Sequence, residues 1–154
     1  RLKSTTAIKL ANPVSTEYTI LRESLLPSLM KNLADNKHES FPQRLFEVSD
    51  VGQINQRTET RVERRLHVGG VSSHSTANFT EIKSTVEALL HNMSLKSWQI
   101  VAKRHPSFLD GRTAAIHLRR REFGVLGEIH PEVLNNFELE NPTNAFEIDI
   151  EEII

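Results

Sequence analysis

Thr113-Ala114-Ala115-Ile116-His117-Leu118-Arg119-Arg120-Arg121-Glu122-Phe123-Gly124-Val125-Leu126-Gly127-Glu128-Ile129 places two apolar, strand-forming runs on either side of a short polar run. Such a pair reads as a hairpin, Thr113 to Leu118 and Phe123 to Ile129 joined at Arg119-Arg120-Arg121-Glu122, and therefore as antiparallel pairing. Three further runs share that character: Leu45 to Val51, Leu66 to Val71 and Trp98 to Ala102. Ala145-Phe146-Glu147-Ile148-Asp149-Ile150 alternates, which predicts one buried face and one wet face. An early segment, Ala7 to Leu10, is expected to add an edge strand, and the polar stretch Gln53 to Arg65 reads as a solvated loop or hairpin arm.

Helices separate these runs. Leu25, Leu26, Leu29, Met30 and Leu33 recur at helical spacing in a helix expected over Leu25 to Asp35. Ser24 is its expected N-cap, Pro27 falls in the first turn where no internal N–H bond is lost, and Asn36 is a candidate left-handed cap. A second helix, Phe79 to Met93, carries Ile82, Val86, Leu89, Leu90 and Met93, with Asn78 and Glu81 as a capping-box variant. A third starts at Pro131 and holds Val133, Leu134 and Phe137. Runs of strands joined by short loops, with helices between the runs, predict an α+β fold: an antiparallel sheet flanked by helices.

Composition narrows the function. The chain has 154 residues, 38% hydrophobic and 25% charged, as in ordinary globular domains. One domain over 1–154 is expected from that length. Nineteen Lys and Arg against twenty Asp and Glu exclude nucleic-acid binding by bulk charge. No apolar run approaches the ~18 residues of a membrane helix, so no membrane contact is expected. The absence of cysteine excludes a disulfide scaffold, a thiolate metal site and a cysteine nucleophile. The chain opens at Arg1 without a leader and closes on Glu151-Glu152-Ile153-Ile154, and a fragment of a longer chain is expected.

Few residues carry a chemical signature. The histidines His38, His67, His74, His91, His105, His117 and His130 do not pair at metal-ligand spacing, so no metal site is expected. Gly69-Gly70 reads as a strand bend or a close backbone approach rather than a phosphate cradle, and Ser72-Ser73-His74-Ser75 as a polar loop rather than a nucleophile site. Arg119 to Arg121, and the cluster Arg61, Arg64, Arg65, read as solvated turns, with phosphate contact as the alternative. Neither has an aromatic platform for base stacking. Arg22 and Arg112 are read as intramolecular ion pairs, although the guanidinium of Arg112 has the geometry to fork onto a phosphate as well.

Six stretches in order carry a resemblance: Ala11-Asn12-Pro13-Val14-Ser15, Leu21 to Leu29, Arg44 to Val51, Phe79 to Leu90, Arg104-His105-Pro106-Ser107-Phe108 with Gly111-Arg112, and Gly124 to Leu134. Together they resemble the beta subunit of phenylalanyl-tRNA synthetases, in the archaeal or eukaryotic form. The resemblance implies a class II synthetase-like domain that is catalytically silent and packs against the catalytic alpha subunit and the rest of the beta chain. Two such pairs would make a cytoplasmic heterotetramer. The alpha subunit would use ATP and Mg, and this domain would need no cofactor and no catalytic residue of its own. Asn12, Pro13, Arg22, Glu47, Arg112, His130 and Pro131 are the motif positions with implied structural roles. The helix of Leu25, Leu26, Leu29, Met30 and Leu33 would lie at the subunit interface. The run Leu45 to Val51 offers Glu47 and Asp50 but no arginine for a nucleotide phosphate, Arg44 lies only at its edge, and no glycine-rich segment ending in arginine follows Ile129. Contact with tRNA is expected to be weak or absent, and the family's editing and magnesium-associated sites fall outside this region. The alternatives are an active ATP-dependent class II ligase domain and a nucleic-acid-binding accessory module.

Overall fold

A computed structural model describes residues 21–59, 61–151 and 153. The elements run α1 (Leu26–Asp35), β1 (Gln43–Ile54), β2 (Val62–Ser73), α2 (Phe79–Asn92), β3 (Trp98–Ala102), β4 (Phe108–Leu118), β5 (Arg121–Ile129), α3 (Pro131–Asn136) and β6 (Thr143–Asp149). The strands form one six-stranded sheet in the order β1-β2-β6-β5-β4-β3, with every neighbouring pair antiparallel. The α+β architecture expected from the sequence is therefore the one observed. Asn12, Pro13 and the edge strand expected at Ala7 to Leu10 lie outside the described residues.

Local chemistry explains the helices. Asn78 accepts the backbone N–H of Glu81 and starts α2, as its capping-box spacing predicts. In α1 the cap position falls on Leu25, one residue later than expected, and the Ser24 hydroxyl still accepts the Leu26 N–H at 3.2 Å. Asn36 is not left-handed: its φ is −110°, and its side-chain amide instead donates to the Asn32 carbonyl.

The sheet is covered on both faces. Cross-strand partners place Leu45, Val71 and Ala145 on the face under α1, and Val68, Phe146 and Ile148 on the face under α2. Gly69 and Gly70 make both approaches close. A Cβ on Gly69 would sit 3.2 Å from both Leu25 Cβ and Leu29 Cδ1, and one on Gly70 would sit 2.5 Å from Phe146 Cε1. The close-approach reading of this pair thus holds on both sides of β2.

Two expectations change. Strand β6 has no wet face over Thr143 to Ile148, because it is inserted between β2 and β5, with α1 on one side and α2 on the other. The α1 stripe also has no side left for a partner: Leu25, Leu26, Leu29, Met30 and Leu33 are all buried in the chain's own core. The stripe is wide because it serves two intrachain surfaces. One is the sheet at Val51, Val71 and Ala145; the other is the cluster of Phe108, Val133 and Leu139 beside α3. These five residues are accordingly core rather than interface.

Truncating Leu29 to Ala should therefore destabilise the chain on its own, by about 2–5 kcal/mol for a large-to-small change in a closed core. Urea unfolding without any partner measures this. An unchanged midpoint would return α1 to the role of an interface helix.

Candidate functional site

The densest polar cluster lies on the α1 face, where β1, β2 and β6 meet the segment before α1. Glu47 and Glu147 flank Gly69 in the ladder, and Ser49, His67 and Asp149 line up one step along. The segment entering α1 is pinned to β1 by a bond from Gly52 N–H to the Arg22 carbonyl at 2.8 Å. That places the Arg22 guanidinium over the row. Nη1 meets Glu47 Oε1 at 2.7 Å, Nε donates to the Asp50 carbonyl at 3.1 Å, and Nη2 donates to the Ser49 hydroxyl. Arg65 Nη1 meets Asp149 Oδ2 at 3.3 Å, and its Nε lies 2.9 Å from Glu63 Oε1.

Glu147 is buried, at 7% exposure, and is held by three donors: the Ser24 hydroxyl, the Leu25 N–H at 3.0 Å and His67 Nδ1 at 2.7 Å. A carboxylate out of water requires such partners. His67 Nε2 is buried without a hydrogen bond, 3.9 Å from Asp149 Oδ2. Every cation of this row is committed to an acid of the same chain. Among the described residues no group of three His, Asp or Glu side chains has the arrangement of a metal site.

The remaining motif residues hold the frame together. Arg112 Nη1 meets Glu128 Oε1 at 2.8 Å, and the same oxygen accepts the Phe79 N–H at the start of α2. Arg112 is therefore an intramolecular pair, with the helix N-terminus already neutralised by Glu128. His130 caps α3, its Nδ1 accepting the Glu132 N–H, and Pro131 occupies the first turn. The segment Arg104 to Phe108 lines a hollow of about 270 Å³ with Leu109, Asp110 and His130. There burial, helped by the Lys103 charge, holds the His105 imidazole below its ordinary pKa.

Sequence reasoning missed a second cluster centred on Glu81. Ser72 and Ser73 belong to β2, not to a loop, and both are buried. Glu81 gathers His74 Nε2 at 2.8 Å, Asn144 Nδ2 at 3.0 Å, the Ser72 hydroxyl at 3.1 Å and Arg44 Nη2 at 3.4 Å. Ser72 and His74 meet on this carboxylate, and neither activates the other. The signal is half visible: the sequence shows Glu81 as a helix cap, and its reach to β1, β2 and β6 depends on the sheet order. Glu147 and His67 were missed because their burial also depends on that order.

Burial pushes the Glu81 pKa up, but hydrogen bonds from His74, Asn144 and Ser72 outweigh it and hold the carboxyl below its ordinary value of 4.5. A depressed folded pKa gives stability that is present above the unfolded value and lost as pH falls through the folded one. Stability should thus drop on acidification below about pH 4.5, and Glu81→Gln should flatten that acid limb while lowering stability near neutrality. Urea midpoints across pH check this; identical acid limbs would contradict it.

The family model of the phenylalanyl tRNA synthetase beta chain CLM domain matches residues 1–150. The phenylalanine–tRNA ligase beta subunit of Methanopyrus kandleri is 46% identical over 144 residues, covering 94% of this chain and 24% of that protein. The corresponding subunit of Archaeoglobus fulgidus is 44% identical over 143 residues, covering 93% and 25%. The chain thus spans about a quarter of the length of these curated relatives. Pyrrolysyl-tRNA synthetase from Desulfitobacterium hafniense superposes with a TM-score of 0.75 over 96% of this chain and 51% of its own, at 12% identity, a likeness of fold. That fold is class II synthetase-like, and the chain belongs to the phenylalanyl-tRNA synthetase beta chain CLM domain family.

Proposed function

We propose that the chain is a non-catalytic module of a phenylalanine–tRNA ligase beta subunit, packing against the catalytic alpha subunit. On this reading the alpha subunit uses ATP and Mg to attach phenylalanine to its tRNA, in a cytoplasmic heterotetramer.

One observation carries the silence of the module: the commitment of the α1-face cations. Phosphoryl chemistry needs cations placed to receive the developing charge. Here Arg22 is held by Glu47 and Ser49, and Arg65 by Asp149 and Glu63. A triphosphate on this row would displace those pairs and meet Glu47, Glu147 and Asp149 as like charges. The residues present therefore do not fit the nucleotide.

The packing role needs a surface other than α1. Helix α2 covers β5 and β6 on its face of the sheet. Beyond it, on the same face of β1, Phe46 is 78% exposed and Val48 52% exposed. Adjacent apolar side chains left open on a sheet face suit a partner chain, and a beta subunit has an alpha subunit to supply it.

Co-elution with the alpha subunit of the same source tests the reading. Wild-type chain should give a joint peak by light scattering, and Phe46→Glu with Val48→Glu should split it. Both are surface positions, so the melting midpoint of the lone chain should move little, within about 0.5 kcal/mol of stability. Separate wild-type peaks would sink the packing reading, and an unaffected variant would remove β1 from the contact.

A further inference from the structure

The β4–β5 hairpin turns through two residues only, Arg119 and Arg120, with Leu118 paired to Arg121. Both turn residues have positive φ, 50° and 75°. That is the signature of a type I′ turn, which Asn-Gly fills with least strain and which bulky L residues disfavour. The chain nonetheless places two arginines there. Both are exposed, and among the described residues neither has a hydrogen-bond or ion-pair partner. The nearest acid in sequence, Glu122, is already held by Lys103. At the same end of the sheet, just before Trp98 pairs with Leu118, lies exposed Lys96 between Ser94 and Ser97, themselves at φ 59° and 65°. The turn itself therefore carries two unpaired positive charges, although the whole chain carries −1 and exposed Glu151 follows β6 at the same end of the sheet.

We propose that this tip contacts the phosphate backbone of RNA. The choice of RNA rests on reading the chain as part of a tRNA ligase. The chemistry favours phosphate over an acidic protein surface. Among the described residues the large exposed apolar side chains are Phe41, Phe46, Val48, Ile54, Met93 and Val101; none lies on the hairpin, and Met93, beside Ser94, is the nearest to it in sequence at that end of the sheet. A protein contact would be expected to offer such an anchor. Phosphate needs only guanidinium donors, and Arg presents them in a rigid fork. The contact positions RNA without reading its bases, because no aromatic ring stands on the turn for stacking.

The test replaces Arg119→Asn together with Arg120→Gly, the turn this backbone prefers. It is made on the ligase assembled with its alpha subunit and on this chain alone, with a tRNA transcript followed by fluorescence anisotropy over a salt series. The variant should melt about 2–4 °C higher, so lost binding cannot come from misfolding. Its affinity should fall about tenfold at low salt, and the slope of log K against log salt should shrink by about 1.5, the loss of two phosphate contacts. Unchanged affinity and slope would overturn the proposal. So would loss of alpha-subunit association with RNA binding retained, which would assign the tip to an acidic protein surface. Should the wild-type chains fail to assemble, the packing reading fails, while the salt slope of the lone chain still decides this one.

Discussion

The Glu147 carboxylate ties three parts of the chain together at the centre of the sheet. It receives Ser24 and Leu25 from the entry to α1 and His67 from β2, across sequence separations of up to 123 residues. Removing a single donor would leave a buried charge short of partners, which costs far more than the bond itself contributes. Gly69, opposite Glu147 in the ladder, leaves the space into which Leu25 and Leu29 settle. The seating of α1, the β2–β6 register and the polar row are thus one constraint. Because β6 lies between β2 and β5, none of it is satisfied until β6 is in place.

That constraint also sets the chemistry. The α1 face of this sheet carries charge on every strand that meets the helix entry, yet each cation is paired inside the chain. The row is a structural lattice on a synthetase-like fold. The β4–β5 tip stands in contrast, since its two arginines are held at a conformational cost and left unpaired. Family membership and the class II synthetase-like fold are shared with the relatives; the self-paired row is a feature of this chain's own side chains.

What could be read from the sequence was what local chemistry decides. Asn78 and Glu81 capping α2, Pro131 opening α3 and the hairpin at Arg119 each depend on residues within a few positions, while the close approach at Gly69-Gly70 was legible from the residue type alone. That Arg22 and Arg112 pair inside the chain was also legible, but their partners, Glu47 on β1 and Glu128 on β5, were not. The rest depended on strand order. Phe146-Glu147-Ile148-Asp149 alternates like a half-wet strand, and only its insertion between two others buries Glu147 and Asn144. The width of the α1 stripe was visible, but not that its second surface is Phe108, Val133 and Leu139 of the same chain. Glu81 looked like a cap and is also a junction of three strands and a helix.

The most direct test of a self-neutralised row is calorimetric titration of the chain with Mg-ATP. The committed pairs of Arg22, Arg65 and His67 should leave no saturable heat. Stoichiometric binding, abolished by Arg22→Ala or Arg65→Ala, would contradict the account and make this face a working nucleotide site.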